Sequence, residues 1–128
     1  MKEPKIIYNK LLPFKGYLAI TIFNYIFVRE EYKNKCLKPS TINHEKIHMA
    51  QAYDFRIGVF GYFIFYIWYL LEWLFKLPWA LFGYDPYKSI GFEQEAYNRD
   101  IDLTYLDSRK RFTWLKYLFK GVKKQWKR

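Results

Sequence analysis

The chain has one cysteine, Cys36, and only two histidines, His44 and His48, among 128 residues. A lone cysteine excludes an intramolecular disulfide and any multi-cysteine metal cluster, so a bound metal would have to rely on histidine and carboxylate. The opening Met1-Lys2-Glu3-Pro4-Lys5 has neither a long apolar core nor a small-residue cleavage site, so no secretory signal peptide is expected and the functional region should face the cytoplasm. Acidic residues are scarce, 12 against 22 Lys and Arg, which leaves a formal charge of +10. With 52% apolar and 23% aromatic residues, the chain is greasier and more basic than an average soluble domain. That balance makes a membrane surface or a nucleic acid the natural partner class. The length fits one domain over residues 1–128, large enough to bury a modest core without staples.

Gly16 to Arg29 is rich in Ile, Phe, Tyr and Val with Asn24 near its centre, and reads as one long strand or a hairpin turning at Asn24. The charged stretch from Glu30 to Ser40 suits an exposed connection. A helix is expected from Asn43 to Arg56, capped by Ser40 or Thr41 and stopping near Gly58, with His44, His48 and Phe55 on one face.

Residues 57–83 form the most apolar segment, interrupted only by Glu72, Lys76 and Pro78. A crossing needs about 20 apolar residues, so the segment suffices for one crossing and not for two. One crossing would leave His44 and His48 roughly 30 Å from everything after Gly83. A site shared across Gly83 therefore requires either a core helix pair broken at Pro78 or a re-entrant or interfacial element. The dense Tyr and Trp favour the interfacial element, because these side chains prefer the headgroup level, while a buried soluble core is the alternative.

Beyond Tyr84-Asp85-Pro86, a helix capped by Ser89 is expected from Gly91 to Leu106, with Glu93 and Glu95 in a first turn that favours anions. From Arg109 to Arg128 there are nine basic residues and no acid. Helical spacing sorts Phe112, Leu115, Phe119, Val122 and Trp126 onto one stripe and Lys116, Lys120, Lys123, Lys124 and Lys127 opposite. Such a basic amphipathic helix would lie on anionic lipid.

The chemistry centres on His44-Glu45-Lys46-Ile47-His48. Helix positions four apart are neighbours, so both imidazoles can reach one ion, and that donor set suits zinc. Glu45 lies beside the pair, able to take a proton from metal-activated water without being a ligand. A chance H-E-x-x-H in a chain of this length occurs on the order of once in a few hundred sequences. A di-iron reading would need a second Glu-x-x-His, and no histidine remains to build one. The third zinc ligand must be a carboxylate, and periodicity leaves Asp54, Glu72, Asp85, Glu93, Glu95, Asp100, Asp102 and Asp107 open. Asp54 points away from His48, and Glu72 has Lys76 four residues on as an ordinary partner.

Thr41-Ile42-Asn43-His44-Glu45-Lys46-Ile47-His48, followed by Phe92-Glu93-Gln94-Glu95-Ala96-Tyr97, resembles the HExxH and E-x-x-A arrangement of gluzincin-type metallopeptidases. It is most similar to small bacterial members whose E-x-x-A helix follows a hydrophobic insert. The resemblance implies His44, His48 and Glu93 as ligands of a zinc ion, Glu95 as the fallback ligand, and Glu45 as general base. The sequence departs from that pattern at Tyr97, where those peptidases commonly carry Asp or Asn. Tyr97 or Arg99 is the expected oxyanion stabiliser, and the Gly16–Arg29 region could offer a strand edge to an extended peptide.

The expected molecule is thus an α+β, mostly helical, minimal zincin-like domain. Its parts are a short N-terminal antiparallel sheet, an HExxH helix, an aromatic hydrophobic insert and a basic amphipathic C-terminal helix. It should act as a zinc metallopeptidase on a peptide or protein substrate at an anionic membrane surface, on the cytoplasmic face of the inner membrane, with no nucleic acid as partner. The alternatives are a non-catalytic zinc-binding membrane protein and a basic lipid-binding adaptor.

Overall fold

In the computed structural model, which describes residues 4–11, 19–33 and 38–118, the Ile- and Val-rich stretch folds as a hairpin. Its strands are β2 (Ala19–Ile22) and β3 (Tyr25–Arg29), and its turn is Phe23-Asn24. Phe23 has φ of 53°, a left-handed conformation costly for a bulky residue. Its partners hold it there: the Phe23 amide donates to the Tyr66 hydroxyl at 3.1 Å, and its ring packs edge-on against Tyr62 and Phe63.

The sheet is not purely antiparallel. β1 (Lys5–Asn9) pairs parallel with β3, so β3 is central and the order is β1-β3-β2. A tight turn cannot join a parallel pair, and the connection from β1 to β3 carries β2 within it. Ile26 and Val28 of β3 are buried against Met49 of the following helix. Residues 16–18 of the expected strand lie outside the described residues.

That helix, α1, runs Pro39–Tyr53. It starts earlier than expected because Pro39 occupies its first turn, where a preset φ costs nothing. Ser40 and Thr41 sit inside the helix, and no side chain caps it. Gly58 (φ 61°) begins the next helix instead of ending this one. A methyl at Gly61 would come within 2.4 Å of the Ala52 carbonyl oxygen, so Gly61 sets the close approach of the two helices.

The apolar segment forms one unbroken helix, α2 (Val59–Lys76), continued by a 3-10 turn over Leu77–Phe82. Pro78 starts that turn, where its missing N–H is harmless, so the helix pair broken at Pro78 does not form. The segment is also not a buried core. Only Gly61, Phe65, Glu72 and Lys76 of α2 are buried, whereas Phe60, Ile67, Leu71 and Phe75 are each at least 59% exposed. Both charged residues turn inward. Lys76 donates to Glu72 at 2.6 Å and to the carbonyls of Ser89 and Leu118, and Trp68 donates its indole N–H to Glu72.

Glu72 also accepts the Gly91 amide at 2.7 Å, so a carboxylate from α2 serves the N-terminus of α3 (Gly91–Arg99). Ser89 does not cap α3; its hydroxyl donates to Asp85. α3 stops at Arg99 instead of reaching Leu106. The Asn43 amide captures the carbonyls of Asp100 and Asp102 at 2.9 and 3.0 Å and turns the chain into α4 (Tyr105–Ser108).

The region from Arg109 departs from the expected stripe as far as it is described. Phe112 is left-handed and Thr113–Tyr117 is a 3-10 turn that buries Trp114 and Tyr117 while Leu115 faces out. Trp114 completes a core with Phe65 and Phe92, whose rings stack at 4.4 Å. Residues 119–128 of the expected basic helix lie outside the described residues.

Candidate metal centre

α1 presents His44 and His48 one turn apart, with ring centroids 4.9 Å apart. α3 brings Glu93 between them: its Oε1 lies 3.0 Å from His44 Nε2 and its Oε2 3.1 Å from His48 Nε2. One ligand atom from each of the three residues falls within 4.8 Å of the others, a group able to hold a metal ion. The donors, two imidazole nitrogens and a carboxylate, fit a divalent ion of intermediate softness.

The outer nitrogens are also engaged. His44 Nδ1 lies 3.1 Å from Asp100 Oδ2, and His48 Nδ1 lies 2.9 Å from Gln51 Oε1. The Tyr69 hydroxyl of α2 donates to Glu93 Oε2 at 2.6 Å. Burial works against a charged His48, but the attraction and hydrogen bond of Glu93 outweigh it and push His48 up to about 9 without a metal. Burial likewise opposes ionisation of Glu93, and the two histidines overcome it, holding its carboxyl well below the usual range. Burial dominates at Glu45 and raises its pKa, with both histidines pulling the other way.

Glu95 does not share this point. It lies two residues from Glu93, on another face of α3, and accepts from Gln51, Tyr105 and Arg109. Arg109, read from sequence as part of a lipid-facing basic helix, is instead forked onto both oxygens of Asp54 at 2.8 Å. Glu72 pairs with Lys76, Asp85 accepts amides within its own loop, and Asp102 bonds Thr104. Asp100 is therefore a partner of His44, and Glu93 is the carboxylate facing both rings. Arg99 turns away toward Tyr105 and Tyr117, while the Tyr97 ring lies 4.5 Å from that of His44.

Two cavities meet at Glu45. A cleft of about 650 Å³ is lined by Ser40, Thr41, His44, Trp73, Tyr97 and Asp100 among others. A smaller, mainly apolar one of about 420 Å³ lies between the β2 edge and Phe65, Tyr66 and Tyr69 of α2, and reaches His48 and Glu93. Ala19, Glu45 and Tyr87 border both. The β2 edge is partly used already, since the Tyr66 hydroxyl donates to the Thr21 carbonyl.

Sequence reasoning missed Gln51, Tyr69 and Tyr87. Gln51 had a local signal, standing three residues after His48 on the same helix, whereas the tyrosines come from elements whose docking no local pattern encodes. The chain matches no protein-family model, no curated protein and no solved structure.

Proposed function

We propose that the protein is a membrane-associated zinc metallopeptidase with a minimal, gluzincin-like arrangement. The observation that carries this reading is the convergence of His44, His48 and Glu93 on one point, with Glu45 beside them in an open cleft. Two imidazoles and one carboxylate form the three-protein-ligand set of hydrolytic zinc sites, which leave a position for water. Zinc held there would polarise a peptide carbonyl and acidify the attacking water. Glu45, its pKa raised by burial, would take a proton from the attacking water and hand it to the leaving amine. Tyr97 borders the cleft, and burial raises its pKa, which favours a role as a neutral donor to the developing oxyanion. An extended peptide fits the run of cavity between the β2 edge and α2.

Association with an anionic membrane surface is supported by the outer face of Val59–Phe82. The segment is long and apolar enough to cross a bilayer, and its only two charged side chains point inward and neutralise each other. Tyr69, near the middle of α2, bonds Glu93, so the cluster sits level with the helix and not beyond its end. A helix lying flat at the headgroup level leaves the cleft accessible to peptides from the cytoplasmic side.

Metal analysis of protein purified without chelators or added histidines tests the reading. About one zinc per chain, lost in both His48→Ala and Glu93→Ala, is expected. Glu45→Gln should retain the metal while cleavage of a peptide mixture falls by about 100-fold or more. Zinc-loaded wild type that cleaves no peptide would leave a non-catalytic metal protein.

A further inference from the structure

We infer that Gln51 is a positioning residue for the metal centre: it fixes His48 in the tautomer that leaves Nε2 free for the ion. This inference rests on the reading of the cluster as a metal site, and nothing in the HExxH spacing requires it.

The orientation of the Gln51 amide decides which His48 nitrogen carries a hydrogen. Gln51 is fully buried. One end of its amide contacts the Phe92 carbonyl oxygen at 2.9 Å and Glu95 Oε1 at 3.0 Å. A carbonyl and a carboxylate only accept, so the NH2 must lie there, and the amide oxygen must face His48 Nδ1 at 2.9 Å. An amide oxygen only accepts as well. His48 therefore carries a hydrogen on Nδ1, and its Nε2 is the nitrogen turned toward Glu93.

A flip of the amide would set its oxygen against two acceptors, and the surroundings prevent Glu95 from moving to relieve the clash. Glu95 accepts from the Tyr105 hydroxyl at 2.6 Å and from Arg109 at 2.6 and 3.0 Å. Arg109 is fixed by its two bonds to Asp54, which follows the end of α1. A closed loop of buried groups thus runs from His48 through Gln51, Glu95 and Arg109 to Asp54, and back along α1. One end lies on the helix that supplies the histidines and the other at its C-terminal cap, so the ring is oriented from its own helix and from α3 at once. Outer partners of this kind set ligand orientation and basicity, and their loss typically weakens metal binding about 10- to 100-fold.

The test compares zinc affinity, by competition with a chromophoric chelator, in wild type and in Gln51→Leu, which keeps the side-chain size and removes both amide functions. It is paired with nitrogen-15 spectra of the histidine rings in the zinc-loaded proteins. The expected result is a Kd about 10- to 100-fold weaker in Gln51→Leu, with unchanged circular dichroism. In wild type the His48 ring should show zinc on Nε2 and a slowly exchanging proton on Nδ1, and that protection should vanish in the variant. The wild-type spectrum alone decides the matter if Gln51→Leu does not fold. Zinc on Nδ1 of His48, or an unprotected Nδ1 proton, overturns the inference, as does an unchanged Kd in a folded variant, while the metal site survives. A wild type that takes up no zinc removes the metal reading itself and this inference with it.

Discussion

The metal-free protein should lose stability as pH rises from 6 to 9.5, because the His48–Glu93 pair holds the cluster together when no ion does. The folded pKa of His48, about 9, lies above its ordinary value of 6.5. Its contribution is therefore fully present below pH 6.5 and is lost as pH climbs through 9. At about 1.4 kcal/mol for each tenfold change in proton affinity, the interval from 6.5 to 9 corresponds to about 3 kcal/mol. For a chain of this size that is on the order of 10 °C in Tm. Glu45 shares that sign, since burial raises its pKa and its ionisation above the ordinary 4.5 is therefore destabilising. Glu93 sets the other limit: with a depressed pKa, it contributes above its unfolded value of 4.5 and fails only in stronger acid. The assay is urea unfolding of chelator-treated protein at several pH values, with Glu93→Gln measured in parallel to subtract titrations elsewhere. Wild type should exceed the variant by about 3 kcal/mol more at pH 6 than at pH 9.5. A constant difference between the two across that range would refute the coupling. Zinc should reverse the trend, because binding displaces the His48 proton and tightens as pH rises.

Other outcomes follow from the same contacts. Glu95→Ala should leave zinc stoichiometry intact yet destabilise the fold by about 3 to 5 kcal/mol in urea unfolding, because it strips a buried partner from Arg109. Asp100→Ala should weaken zinc binding about 10- to 100-fold by freeing the His44 ring, read by chelator competition. Lys76→Met should cost about 3 to 5 kcal/mol in urea unfolding, since Glu72 would remain buried without its cation. Flotation with anionic vesicles should carry the wild type and lose it after Phe60→Glu with Leu71→Glu, two exposed positions on α2 whose change leaves the core untouched. Retention of that double variant on vesicles would exclude the α2 face as the contact.

Much of the architecture was legible along the chain. A β-forming stretch able to turn at Asn24, the HExxH helix, a helix opening near Gly91, and the Glu72–Lys76 pairing all depend on residues a few positions apart. Boundaries were less legible where another element intervened. Asn43 ends α3 by binding carbonyls more than 50 residues away, and Glu72 takes the place expected for Ser89 at its start. The parallel pairing of β1 was hidden for the same reason, as strand composition says nothing about which neighbour a strand selects.

Helical periodicity fixes relations within a turn or two, so the HEKIH spacing alone puts His44 and His48 on one face of a helix with Glu45 beside them. With no third histidine and a single cysteine, a further ligand for an ion held there would have to be a carboxylate. Which carboxylate faces the two rings depends on how α3 docks against α1. Glu93 and Glu95 are two positions apart on α3 and so point to well-separated sides, and either could have faced the histidines. The choice was made by docking: Ile90, Phe92 and Ala96 are buried in packing α3 against its neighbours, which turns Glu93 toward His44 and His48 and Glu95 toward Arg109. The same packing turned Asp100 and Gln51 into partners of the rings and aimed the charges of α2 inward, leaving its apolar side uncovered. Burial of apolar surface orients helices as whole bodies, and polar side chains carried on them acquire their partners through that orientation.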